Sequence, residues 1–203
     1  MTVPTPAYLD YEEMREKADA FLVEHGREGR CPVDIEAIVD VALGIDIVPV
    51  SGLKSDHDID GLIACDGSTI WVDGGIYWSD NPFRYRFTLA HELGHWLLHR
   101  DLLESACFET LDDWQVFLDA FPDKARSRYE FQAYCMGGLL LVQREPLAEQ
   151  VAATMALAEK AGNALDLADE AECRLLCRRV GRVFEVSEGV VIRRGRYDGH
   201  WDF

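Results

Sequence analysis

The chain has 203 residues, 48% of them hydrophobic, and a formal net charge of −17 at pH 7. That is enough apolar material for one compact domain spanning residues 1–203. The acidity argues against nucleic acid as a direct partner, because duplex binding draws its affinity from Lys and Arg neutralising phosphates. No basic segment followed by an apolar run opens the sequence, and no apolar stretch approaches bilayer length, so the expected location is the cytoplasm and no membrane partner is expected.

Taken in chain order, Tyr11, Met14, Ala18, Phe21 and Leu22 mark an amphipathic helix, and Ile35, Ile38, Val39 and Ala42 mark a second that stops at Gly44. Residues 45–50 read as a strand. Leu62 to Cys65, a tight Asp66-Gly67 turn and Ser68 to Val72 read as a hairpin that continues a meander. A strand edge of this kind can bind an extended peptide through main-chain hydrogen bonds, although the sequence does not say which strand is exposed. Asn81-Pro82 reads as a helix start, followed by Phe83, Phe87, Ala90, Leu93 and Leu97 at helical spacing. The stretch Asp101 to Lys124, rich in acids and aromatics, reads as a connector, with a short helix over a cleft as the alternative. Leu147, Val151, Met155 and Ala158 form one later stripe, Gly162-Asn163 breaks it, and a further helix is expected around Ala168 to Val183. These elements predict an α+β class, with helices packed on a small, mostly antiparallel sheet.

The motif that carries chemistry is His91-Glu92-Leu93-Gly94-His95, an HExxH pattern inside the predicted buried helix. Two His four residues apart project from one helix face, so both imidazoles can meet one metal, with Glu92 beside the remaining coordination position. Buried imidazoles and a buried carboxylate need partners, and a metal supplies them. The reaction implied is hydrolysis by metal-activated water.

A third ligand is best sought at Glu130, which shares a face of a second helix with Ala133, Tyr134 and Gly137. Ala133 and Gly137 are small enough to let that helix approach the first, whose Ala90 and Gly94 are small in turn. Close approach also explains Gly94, since glycine inside a helix costs about 1 kcal/mol relative to alanine. The competing reading of Glu130 is a capping box with Ser127, which would satisfy backbone donors at a helix start.

RFTLAHELGHWLLH, followed by an ExxA helix with a small-residue and leucine-rich continuation, resembles the ImmA/IrrE family of metallopeptidases. These are intracellular zincin-like proteins that act on bacterial or phage repressors. The flanks PVDIEAIVDVALGIDIVPV and VFEVSEGVVIRR are similar to that family as well, so the resemblance covers most of the chain. It implies a zincin-like fold, His91, His95 and Glu130 as metal ligands, and Glu92 as general base. Zinc is the metal expected, with manganese possible because an N,N,O ligand set is not selective. The chain departs from the family pattern at Tyr134, where an Asn or Asp is usual. A polar side chain there could orient a ligand imidazole, whereas Tyr134 could donate to a developing oxyanion or simply pack as an aromatic at the helix interface.

The resemblance therefore implies a metal-dependent endopeptidase acting on a protein substrate, a repressor-type regulator encoded separately because no DNA-reading segment is legible here. Two alternatives remain at this stage. One is a catalytically weak or inactive metal-binding module that sequesters a regulator, with Tyr134 its main support; the other is hydrolysis of small peptides or another amide. The six cysteines are dispersed and expected to be reduced, and Cys173 and Cys177, though on one helix face, are expected to be packed thiols. The arginines at 174, 178, 179, 182, 193, 194 and 196 are read as salt-bridge and helix-end chemistry.

Overall fold

The computed structural model describes residues 5–202. Helix α1, Tyr11–Glu24, starts at an Asp10 capping box, and α2, Ile35–Ala37, runs on as a π-helical turn over Ile38–Ala42. Strand β1 covers Asp46–Val50, and a short helix α3, Leu53–His57, leads to β2, Gly61–Ile63, and β3, Thr69–Asp73. Helix α4, Gly74–Tyr77, precedes α5, Pro82–Ala106. The remainder is helical: α6, Leu111–Asp119; α7, Asp123–Leu141; α8, Arg144–Lys160; α9, Glu170–Phe184; and α10, Glu188–Tyr197.

The α+β class is as expected, but the sheet is mixed rather than mostly antiparallel. Its order is β1-β3-β2, with β1 parallel to β3 and β2 antiparallel to β3. The hairpin across Asp66-Gly67 forms as predicted. The meander does not, because the segment holding α3 packs against β3 and carries the chain across it, leaving β2 on the far edge. That edge strand faces α5. Gly61 permits the approach, since a Cβ there would lie 2.5 Å from Thr88 Cγ2. Arg84 on α5 grips Asp60, next to β2, with two hydrogen bonds of 2.7 Å.

At the centre α5 lies along α7, and α1 packs on α7 as well. The pair can come close because its contact face is built of small residues. A Cβ on Gly94 would sit 2.8 Å from the Ala133 carbonyl oxygen, and one on Gly137 would sit 3.2 Å from the His91 nitrogen. Leu89 and Leu93 of α5, Met136 and Leu140 of α7, Met14 of α1 and Phe184 of α9 all belong to one continuous buried cluster. A second, smaller cluster of Leu102, Leu118, Phe121, Ala125 and Tyr129 seats α6 against the far end of that pair. Among the described residues no helix is long and apolar enough to cross a membrane.

Candidate metal centre

Asn81 accepts a hydrogen bond from the Phe83 N–H and Pro82 opens the first turn, so α5 begins where the sequence indicated. Three turns on, His91 and His95 face α7, with their Nε2 atoms 3.1 Å apart. Glu130 enters from α7, its Oε2 lying 3.4 Å from His91 Nε2 and 3.8 Å from His95 Nε2. Helix α7 begins at Asp123, two turns before Glu130, with Pro122 at its cap, so Glu130 is not part of a capping box. The three ligand atoms lie within 4.8 Å of one another. Two imidazole nitrogens and a carboxylate oxygen converging at these distances form an N,N,O set that fits a divalent cation.

Glu92 is buried beside this group. Its Oε1 lies 4.0 Å from His91 Nε2, and its Oε2 accepts a 3.0 Å hydrogen bond from the backbone N–H of Ile63 on β2. Burial pushes its carboxyl up to about 7; His91 pulls it down and Glu130 raises it further. Burial also lowers His95, to about 4, and His99, to about 3, so both are neutral near pH 7. At His91 burial works in the same direction, but the hydrogen bond with Glu130 and the charge of Glu92 outweigh it and the net shift is upward. Glu130 is held well below the usual carboxylate range: burial opposes this, and the nearness of the His91 and His95 rings prevails.

These groups open into a cleft of about 720 Å³, bounded by residues 57–63, by α5 and α7, and by Trp114, Gln115 and Leu118 of α6. The segment read as a connector is thus a helix roofing the cleft, anchored by the small cluster around Leu118 and Phe121. Tyr134 also lines the cleft, and its ring lies 4.8 Å from Phe87 and 4.2 Å from the Arg193 guanidinium.

The profile of the peptidase M78 family, described as the IrrE N-terminal-like domain, matches residues 75–195. The chain belongs to this family. Among solved structures it is similar to a Mycobacterium tuberculosis transcriptional regulator, with a TM-score of 0.53 and 16% identity, over 91% of this chain and 46% of that one. The chain therefore spans less than half of that protein's length, and the likeness is one of fold. No curated protein matches the chain. The M78 span runs from α4 into α10 and so contains both α5 and α7, the helices that carry the HExxH pattern and Glu130.

Sequence reasoning passed over His99, Gln132 and Tyr129. His99 is buried with its Nδ1 3.1 Å from His95 Nδ1, and its Nε2 lies 2.9 Å from Gln132 Oε1. Tyr129 stacks on the His95 ring at 4.1 Å between centroids. A signal for His99 was present: His91, His95 and His99 continue one four-residue spacing along α5.

Proposed function

We propose that this M78 member is a metal-dependent endopeptidase, with His91, His95 and Glu130 holding a divalent ion, zinc by preference and manganese as the alternative. The observation that carries the proposal is the placement of Glu92. A buried carboxylate lies beside the three-ligand group with one oxygen fixed by a backbone N–H and the other facing the cluster. A purely structural acid would be costly at such a position. When bound, the metal acidifies water and polarises the scissile carbonyl. Glu92 accepts the proton of the attacking water and delivers it to the leaving amine, while Ile63 keeps the carboxylate aimed.

Strand β2 supports a peptide substrate. Ala64 N–H bonds to the Thr69 carbonyl and Asp73 N–H to the Asp60 carbonyl, so the backbone of Asp60, Leu62 and Ala64 pairs with β3, while Gly61 and Ile63 line the cleft with the Ile63 N–H held by Glu92. A peptide entering the cleft beside β2 would be brought up to Glu92. The substrate we infer is a repressor-type regulator, on the strength of the family resemblance, and the compartment we infer is the cytoplasm.

The test is a trap. Glu92→Gln keeps size and metal ligands but removes the base, so it should retain its target on pull-down, and mass spectrometry of that target after exposure to wild type should reveal one cut, with a new C-terminus and a matching new N-terminus. A target regulated equally well by Glu92→Gln, and full length with both proteins, would end the peptidase reading in favour of sequestration.

A further inference from the structure

We propose that His99 and Gln132 are positioning residues that hold the His95 imidazole in a single tautomer, its Nε2 lone pair facing His91 and Glu130. This rests on the reading of that group as a metal site. The Ala7 carbonyl oxygen can only accept. Gln132 Nε2 lies 2.9 Å from it, so the amide NH2 faces Ala7 and the amide oxygen faces His99. An amide oxygen also only accepts, so His99 Nε2 carries a proton. A second proton on Nδ1 would make His99 a buried cation hydrogen-bonded only to an amide oxygen and an imidazole, an arrangement that burial penalises heavily. Nδ1 of His99 is therefore a bare acceptor. His95 Nδ1, 3.1 Å away, must donate to it. A neutral His95 protonated at Nδ1 has its lone pair on Nε2, the atom that lies 3.1 Å from His91 Nε2 and 3.8 Å from Glu130 Oε2.

Burial makes this relay binding rather than incidental. Gln132, His99 and His95 are 1%, 3% and 4% exposed, so water does not compete for these bonds. The backbone of α5 leaves helical geometry at His99, with φ −126° and ψ 20°. Tyr129 then stacks on His95 at 4.1 Å and on His99 at 4.5 Å, fixing both ring planes. The orienting bond that the family pattern suggested at position 134 is thus found at position 99, since Tyr134 packs on Phe87 and Arg193. Partners of this kind, which set a ligand imidazole's tautomer, are worth about 10 to 100-fold in metal affinity.

The experiment has two arms on the full chain. Long-range proton–nitrogen correlation spectra of the 15N-labelled, metal-free wild type read each imidazole's tautomer. The expected result is His95 protonated at Nδ1 and His99 at Nε2; His95 protonated at Nε2 would overturn the proposal, whatever any variant does. In the second arm, zinc affinity is measured by competition with a chromophoric chelator. His99→Phe should bind zinc about 10 to 100-fold more weakly, and His99→Asn, which can still accept from His95, should recover part of that loss. A folded His99→Phe with wild-type affinity, beside a His91→Ala that loses zinc, would refute the relay and leave the metal site standing. The predicted tautomers in a wild type that binds no zinc would do the reverse.

Discussion

Two helices each carry a pair of metal-capable side chains four residues apart, His91 and His95 on α5 and Cys173 and Cys177 on α9, and the two pairs have met different surroundings. The Cys sulfurs lie 3.8 Å apart among buried apolar neighbours, and burial pushes the Cys177 thiol up, away from the thiolate a metal needs. Among the described residues His91, His95 and Glu130 are the group that could hold an ion; the Cys pair gains no third ligand. The difference lies outside the helix that bears the pair. Around the His pair, α7 brings Glu130 and Gln132, β2 brings a backbone donor for Glu92, and a cleft admits a substrate. Spacing supplies two ligands at most, and convergence from other elements makes the rest of a site.

The largest expected effect breaks the comparison on its chemical side. Glu92→Gln should lower cleavage of the captured substrate by about 10² to 10⁴-fold with metal content unchanged, whereas Cys173→Ala with Cys177→Ala should leave turnover per folded molecule as it was. Comparable losses from both, measured as rate per bound metal, would erase the distinction.

A smaller effect concerns stability without metal. Burial raises the Glu92 carboxyl from 4.5 to about 7, so the folded, chelated chain keeps a proton there that the unfolded chain has released. The contribution of this group is full below pH 4.5 and is lost as the pH rises through about 7. Chelated Glu92→Gln should escape that loss and gain stability over chelated wild type by up to about 3 kcal/mol at pH 8, with no such gain at pH 4. Urea unfolding at the two pH values reads the gap, and a gap independent of pH would contradict this account of Glu92.

Smaller still are two identical substitutions with opposite signs. Gly94→Ala would place its Cβ 2.8 Å from the Ala133 carbonyl oxygen. The overpacking, about 1–3 kcal/mol, should exceed the helix-propensity gain of about 1 kcal/mol, and zinc affinity should fall with it. Gly189→Ala in α10, where the nearest atom beyond its neighbours is 3.8 Å away, should instead raise stability by about 0.5–1 kcal/mol. Thermal unfolding of the two variants compares them directly.

The smallest expected effect is none. Arg174 and Arg178 pair with Glu188, and Arg194 is buried against Asp198, so much of the basic cluster on α9 and α10 is already engaged. Duplex DNA at physiological salt should show no retardation by this chain, and a tight, salt-sensitive shift would be the contrary finding.

Much of the centre was legible because its residues lie on regular elements. Helical period placed His91, Glu92 and His95 on one face, and the small residues Ala90, Gly94, Ala133 and Gly137 announced the contact between α5 and α7. What was not legible depends on tertiary direction. The hairpin was read from Asp66-Gly67, but nothing in residues 51–60 declares that β1 will pair with β3 in parallel and leave β2 at the edge. Helix α6 has its stripe in Leu111, Trp114 and Leu118, yet its acids disguised it as a connector, because most of that stripe is only partly buried, between the main core and the small cluster around Leu118. Gln132 carries no signal of its own in the sequence, and only the approach of Ala7 and His99 from distant positions gives it partners.

The most direct test of the central claim is the metal content of purified protein in parallel double variants. Wild type and the Cys173→Ser, Cys177→Ser variant should each carry about one divalent ion per chain, and the His91→Ala, His95→Ala variant should carry almost none. Full retention of metal by the His variant, or its loss from the Cys variant while the His pair is intact and the chain folded, would contradict the account.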